Sequence, residues 1–133
     1  MRKLVILGGG TAGTMMANKF ARALDPDEWQ ITIIDSSETH YYQPGFLFIP
    51  FGIYSPRDVV KPRRPFFPPG VKAIVSEVER IEPAENRVVL GDGSRVNYDT
   101  LIEFGLNNSF VTDVLVTRGS LNGGVVTCAH ARR

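Results

Sequence analysis

The run Lys3-Leu4-Val5-Ile6-Leu7 leads directly into Gly8-Gly9-Gly10-Thr11-Ala12-Gly13, so a strand-forming stretch empties into a glycine-rich turn at the start of the chain. Gly8, Gly10 and Gly13 fall at the spacing G-x-G-x-x-G. A second β-branched stretch, Gln30-Ile31-Thr32-Ile33-Ile34, ends in Asp35. Each part has its own duty if this turn grips a dinucleotide. Gly8 permits the tight turn out of the strand, and Gly10 lets bare backbone approach a pyrophosphate. Gly13 allows the following helix to pack close to the sheet, and that helix offers free N–H groups and a partial positive charge to phosphates. Asp35 lies 22 residues beyond Gly13, where an acid about 20 residues on would accept hydrogen bonds from an adenosine ribose. A lone glycine motif is weak evidence. Here a preceding strand, a following helix, a second strand and a terminal acid all accompany it. The competing reading is an ordinary βαβ unit whose glycines save space, with Asp35 a solvated turn residue.

The surrounding pattern predicts an α/β, Rossmann-type, three-layer fold. Lys3–Leu7 reads as a buried parallel strand, and Ala12–Leu24 as a helix with Ala12, Met16, Phe20 and Leu24 on one stripe. Asp25-Pro26 stops that helix, because proline cannot continue it. A parallel strand pair joined by one helix crosses over right-handedly, which fixes the mononucleotide-binding half of such a sheet. Residues 36–70 hold most of the prolines and a dense aromatic run, Tyr41, Tyr42, Phe46, Phe48, Phe51, Tyr54, Phe66 and Phe67, without a clean period. A long loop of this kind is usually functional or ordered by a partner; a short helical turn is expected near Pro56–Val60. Val71–Val75 reads as a third parallel strand. Glu77–Ile81, Asn86–Leu90 and Arg95–Asp99 then form a meander, its last turn marked by Gly91-Asp92-Gly93. Leu101-Ile102 opens a further strand.

With 133 residues the chain suffices for a single domain with a proper core. A net charge of +1 draws it neither to nucleic acid nor to an anionic membrane; association with a membrane surface stays open as a possibility that nothing in the residues supports. Lys61, Arg63 and Arg64, interrupted by Pro62, read as a solvated basic loop. One cysteine, Cys128, leaves no internal disulfide and no metal cluster, and the compartment expected is the cytoplasm.

Residues 1–102 resemble the N-terminal FAD-binding segment of sulfide:quinone oxidoreductases and flavocytochrome c sulfide dehydrogenase flavoproteins, within the FAD-dependent pyridine nucleotide–disulfide oxidoreductase superfamily. The residues that carry the likeness are Val5–Gly13, Asp35, the stretch His40-Tyr41-Tyr42-Gln43-Pro44-Gly45-Phe46-Leu47-Phe48-Ile49-Pro50, and the Gly91–Gly93 hairpin followed by Asn97-Tyr98-Asp99. The resemblance implies FAD as cofactor, with NAD the alternative. It implies that Gly8, Gly10, Thr11, Ala12 and Gly13 lie along the pyrophosphate, that Asp35 and Ser36 sit at the adenosine ribose, that Gln43 and Pro44 run beside the flavin end, and that Val78 meets the adenine. Tyr41, Tyr42 and Phe46 read equally as packing residues, Val78 as a buried strand residue, and His40 as a structural histidine.

The chain also departs from that pattern. Where the superfamily carries an Ala-Thr-Gly motif closing over the cofactor, this chain reads Leu101-Ile102-Glu103-Phe104-Gly105. Residues 103–133 lack the resemblance and form a divergent tail, read either as an extra hairpin on the open sheet edge or as read-through; its apolar pieces are Phe110–Val116 and Gly124–Cys128. The redox cysteines and second nucleotide-binding domain of the family have no counterpart in this sequence, so no catalytic residue is assigned. Three functions remain open: a dinucleotide-binding protein derived from a flavin-dependent oxidoreductase, an oxidoreductase completed by homo-oligomerisation, and a non-enzymatic interaction module.

Overall fold

The computed structural model describes residues 1–104 with their side chains, together with the backbone of two further strands, Val116–Leu121 and Gly124–Ala129. The expected apolar stretch Phe110–Val116 lies, but for its last residue, outside the described residues.

The fold is α/β and of the Rossmann type. Strand β1 (Arg2–Leu7), helix α1 (Thr11–Ala23) and strand β2 (Trp29–Asp35) make the opening unit, with β1 and β2 parallel and in register from Arg2↔Trp29 to Leu7↔Ile34. Strands β3 (Thr39–Tyr41) and β4 (Val60–Pro62) pair antiparallel in a small ribbon of their own. Strand β5 (Lys72–Val75) adds to β2 in parallel. Strands β6 (Val78–Glu82), β7 (Arg87–Leu90) and β8 (Arg95–Asn97) form an antiparallel meander. Strand β9 (Thr100–Glu103) returns to lie parallel to β1 on its other side. Strands β10 (Val116–Leu121) and β11 (Gly124–Ala129) pair with each other, and β11 pairs antiparallel with β9, pairing Cys128 with Ile102. The order across the sheet is β10-β11-β9-β1-β2-β5.

Both faces of this sheet are covered, which is why its strands read as continuous apolar runs rather than alternating ones. Leu4, Ile6, Ile31 and Ile33 point towards α1 and pack with Ala17, Val71 and Ile102. Val5, Leu7, Ile34 and Leu101 point the other way, onto Val88, Leu90 and Tyr98 of the meander side. Three layers result: helix, parallel sheet, meander. The period-2 alternation of side chains along β1 and β2 thus serves two cores at once.

Two local expectations are corrected. The helical turn near Pro56–Val60 is a run of turns entering β4, while a 3-10 helix occupies Gln43–Phe48, where Pro44 stands in its first turn. Proline there loses nothing, since the N–H it lacks would have had no partner. The basic run 61–64 is not uniformly solvated: Arg63 is 8% exposed, buried over the end of β2.

Candidate functional site

The turn after β1 is held open by backbone geometry. Gly8 adopts φ +93°, and a Cβ there would stand 2.8 Å from the Phe104 carbonyl oxygen at the end of β9. A Cβ on Gly13 would land on the Gly8 carbonyl oxygen, so the first turn of α1 presses directly on the loop it leaves. Gly10 is the opposite case. Nothing lies within 4 Å of where its Cβ would be. It is the N-cap of α1, yet no side chain caps the helix and no acidic residue stands in the first turn. Thr14 is tied inward instead, donating its N–H to the Gly10 carbonyl and its hydroxyl to the Gly9 carbonyl. The N-terminal N–H groups of a helix lack intrahelical partners, and here exposed Thr11 and Ala12 present theirs with no capping side chain. A diphosphate fits that arrangement, and Gly10 leaves room for it.

Asp35 ends β2 beside this turn. Its Oδ2 accepts the Gly9 N–H at 2.6 Å, and its Oδ1 accepts the Ser37 N–H at 2.8 Å. Arg63 Nη1 lies 2.5 Å from Oδ1. Burial pushes the Asp35 carboxyl up, but the N–H groups of Ser37 and Gly9 together with Arg63 outweigh it and hold the group below the usual carboxylate range. Asp35 is therefore ionised and aimed at the glycine turn, as a ribose-holding acid must be. Arg63 is the member of this cluster that the sequence analysis read only as part of a solvated loop. Besides Asp35 it donates to the carbonyls of Ser37 at 2.7 Å and Thr39 at 2.6 Å.

Not every expected site residue joins this cluster. Gly8, Gly10, Thr11, Ala12, Gly13 and Asp35 converge at the ends of β1 and β2. Ser36 is exposed just past β2. Val78 opens β6, half-buried and packed against the meander core beside Leu90, the partner in its register. Gln43 and Pro44 begin the 3-10 helix and are exposed. Gly45, next to them, is buried so closely under Val59 and the Tyr42 ring that a Cβ there would strike both. Much of the aromatic run faces outward: Tyr41 is 52% and Phe51 78% exposed. His40 packs its ring against Phe66, with centroids 5.2 Å apart, a structural contact. A cleft of about 380 Å³ flanks Asp35 on the α1 side of the sheet, lined by Ile33, Arg63, Phe67 and Ala73 among others.

A parallel β1–α1–β2 unit with a bare, uncapped helix entrance and an acid at the end of β2 defines a Rossmann-type dinucleotide-binding fold. Sequence kinship then narrows the class. A family model described as tryptophan halogenase matches residues 3–51. The mitochondrial sulfide:quinone oxidoreductase of Dictyostelium discoideum is 35% identical over 100 residues, 75% of this chain and 22% of that protein. The crystal structure of the sulfide:quinone oxidoreductase from Aquifex aeolicus superposes with a TM-score of 0.67 at 24% identity, covering 77% of this chain and 24% of that one. NADH:rubredoxin oxidoreductase from Clostridium acetobutylicum gives 0.57 at 30% identity, covering 76% of this chain and 26% of that one. The chain is thus homologous to a segment of the sulfide:quinone oxidoreductases, as its Val5–Gly13 and Tyr42-Gln43-Pro44-Gly45-Phe46 motifs suggest. It spans 22% of the length of that Dictyostelium relative. FAD, rather than NAD, is the cofactor this kinship supports.

Proposed function

We propose that this chain holds the ADP half of FAD, with the diphosphate across Gly10 and the first N–H groups of α1 and the adenosine ribose on Asp35. The observation that carries this reading is the helix entrance: an uncapped N-terminus facing open space at Gly10, with an ionised acid 2.6 Å from the neighbouring Gly9 N–H. Bound flavin would supply hydride and electron transfer at its ring, while the protein positions it. Gly8 and Gly13 keep the turn tight enough for N–H groups to converge. Asp35 orients the sugar. Activity as a sulfide:quinone oxidoreductase-like enzyme is part of the proposal for a longer assembly rather than a role for any side chain described above.

The test is retention of cofactor. Purified protein is expected to carry the flavin absorption bands and to release FAD on denaturation, identified by mass spectrometry. Gly10→Trp is expected to abolish binding, because the indole would fill the diphosphate path. A colourless protein that binds NADH instead would move the ligand to NAD. A protein that binds no adenine dinucleotide would refute the reading.

A second reading rests on the exposed side chains of Leu47, Phe51 and Ile53, the last 63% exposed. Apolar groups gathered on one loop favour association, so a homodimer would cover them and shield a bound flavin. Sedimentation of the protein with and without FAD tests it; a monomer at all concentrations would exclude it.

A further inference from the structure

Arg63 is buried, yet it belongs to neither of the two apolar clusters of the core. Its placement is deliberate in the sense that three elements converge to make it. The β3–β4 ribbon pairs His40 with Lys61 and carries the chain back over the end of β2. The Arg63 N–H then donates to the Glu38 carbonyl at 2.8 Å, locking its backbone there. The guanidinium spends Nη1 on Ser37 and Asp35 and Nη2 on Thr39, while Nε, also buried, has no acceptor among the described residues. The side chain lies flat across Gly9: a Cβ on that residue would stand 3.0 Å from Nη1, 3.1 Å from Cδ and 3.3 Å from the Asp35 Cβ. This gives the middle glycine of Gly8-Gly9-Gly10 a reason that the dinucleotide motif does not supply.

The consequence lies in the acceptor count on Asp35. A carboxylate offers about four lone-pair directions. Oδ1 is filled by the Ser37 N–H and Arg63, and Oδ2 accepts only the Gly9 N–H. One direction remains, on the oxygen beside the glycine turn. We propose that Arg63 is a positioning residue of the adenosine subsite, pinning the Asp35 carboxylate through Oδ1 so that Oδ2, alone, takes a ribose hydroxyl next to Gly9. This inference rests on the dinucleotide reading above and adds to it a residue outside the glycine motif. It also separates two roles that look alike in the structure. A mere strut would hold residues 36–63 onto the sheet and affect every ligand equally. A residue acting through Asp35 matters only to ligands that carry ribose hydroxyls.

The experiment measures calorimetric binding of ADP and of 2′,3′-dideoxy-ADP to wild type, Arg63→Met, Arg63→Lys, Asp35→Ala and the Arg63→Met/Asp35→Ala double variant, with circular dichroism confirming the fold of each. Arg63→Met is expected to weaken ADP about tenfold, the scale of one charge-assisted hydrogen bond, and to leave dideoxy-ADP unchanged. The double variant is expected to bind ADP no more weakly than Asp35→Ala alone. If Arg63→Met does not fold, Arg63→Lys carries the same comparison, since lysine keeps the charge and loses the planar fork. Equal weakening of both ligands, additive losses in the double variant, or no loss at all would overturn the positioning role while leaving the dinucleotide reading intact. Failure of wild type to bind either ADP or FAD would overturn that reading itself.

Discussion

Two glycines three residues apart make opposite demands, and substituting each by alanine separates folding from binding. At Gly13 the new Cβ would fall on the Gly8 carbonyl oxygen and 3.0 Å from its carbon, with Ile6 Cγ2 behind it at 3.6 Å. The obstacle is backbone, so α1 must retreat from β1. Overpacking costs about 1–3 kcal/mol, and an obstacle that is backbone rather than a flexible side chain puts this case at the upper end, about 2–3 kcal/mol. Alanine recovers up to about 1 kcal/mol over glycine inside a helix, which leaves a net loss of roughly 1–2 kcal/mol and a melting point lower by about 3–10 °C for a domain of this size. At Gly10 the Cβ meets nothing within 4 Å, and φ is an ordinary −63°. Gly10→Ala is expected to cost under about 1 kcal/mol as an N-cap change, yet to weaken ADP and FAD binding about tenfold or more by intruding on the diphosphate path. Thermal melts and calorimetric titration of both variants check the crossed pattern. A Gly13→Ala protein that melts with wild type would refute the close helix–loop contact. Gly10→Ala binding ADP like wild type would refute the diphosphate path.

Asp35→Ala is expected to reduce ADP affinity by about 1–3 kcal/mol, the cost of leaving a ribose hydroxyl without its acceptor, and to lower the melting point as well because Arg63 is left buried without its counter-charge; an unchanged binding isotherm would refute the ribose role. The Asp35 carboxyl is held below its ordinary range, so its stabilisation is fully present above that range and is lost as pH falls through it. Urea midpoints should drop between about pH 5 and pH 3, and drop less in Asp35→Asn; parallel profiles would remove Asp35 from the cause. The Tyr98 hydroxyl is buried with no partner among the described residues, and burial pushes it up. Tyr98→Phe should therefore leave the urea midpoint unchanged or raise it, whereas a loss above about 1 kcal/mol would mean that the hydroxyl is bonded.

The glycine turn, the parallel strands flanking it and the meander were legible because each is written in local sequence: apolar runs, a G-x-G-x-x-G spacing, an Asp-Gly turn. Boundaries shifted by one or two residues, as with α1 at Thr11–Ala23 rather than Ala12–Leu24. Arg63 was not legible. It stands between two prolines in a basic run, and its burial depends on two three-residue strands, Thr39–Tyr41 and Val60–Pro62, pairing across an aperiodic stretch. Strands that short leave no periodic trace. Gly9 was equally silent, since a side chain at the second position of the motif is crowded here by the guanidinium and the Asp35 side chain lying over it. Pro44 was a usable sign that went unread: a proline opening a helical turn fits Gln43–Phe48 better than Pro56–Val60.

Where the resemblance called for Ala-Thr-Gly, the structure sets Glu103 and Phe104 against the cofactor turn. Phe104 donates its N–H to the Leu7 carbonyl at 2.8 Å, and Glu103 is level with Leu7, the residue before Gly8. Ile102 and Phe104 pack on the α1 side and Leu101 on the meander side, so alternation along β9 turns Glu103 to the meander side with Leu7, away from the entrance of α1. Burial pushes this carboxyl up, which favours its neutral form. Such a group stabilises the fold below the usual carboxylate range and withdraws that contribution as pH rises through its raised pKa. Glu103→Gln is therefore expected to raise the urea midpoint over wild type more at about pH 8 than at about pH 4, and to leave ADP affinity within about twofold. A midpoint difference that does not change with pH would mean that Glu103 titrates as an exposed carboxyl, and a several-fold change in ADP affinity would mean that its charge reaches the diphosphate after all.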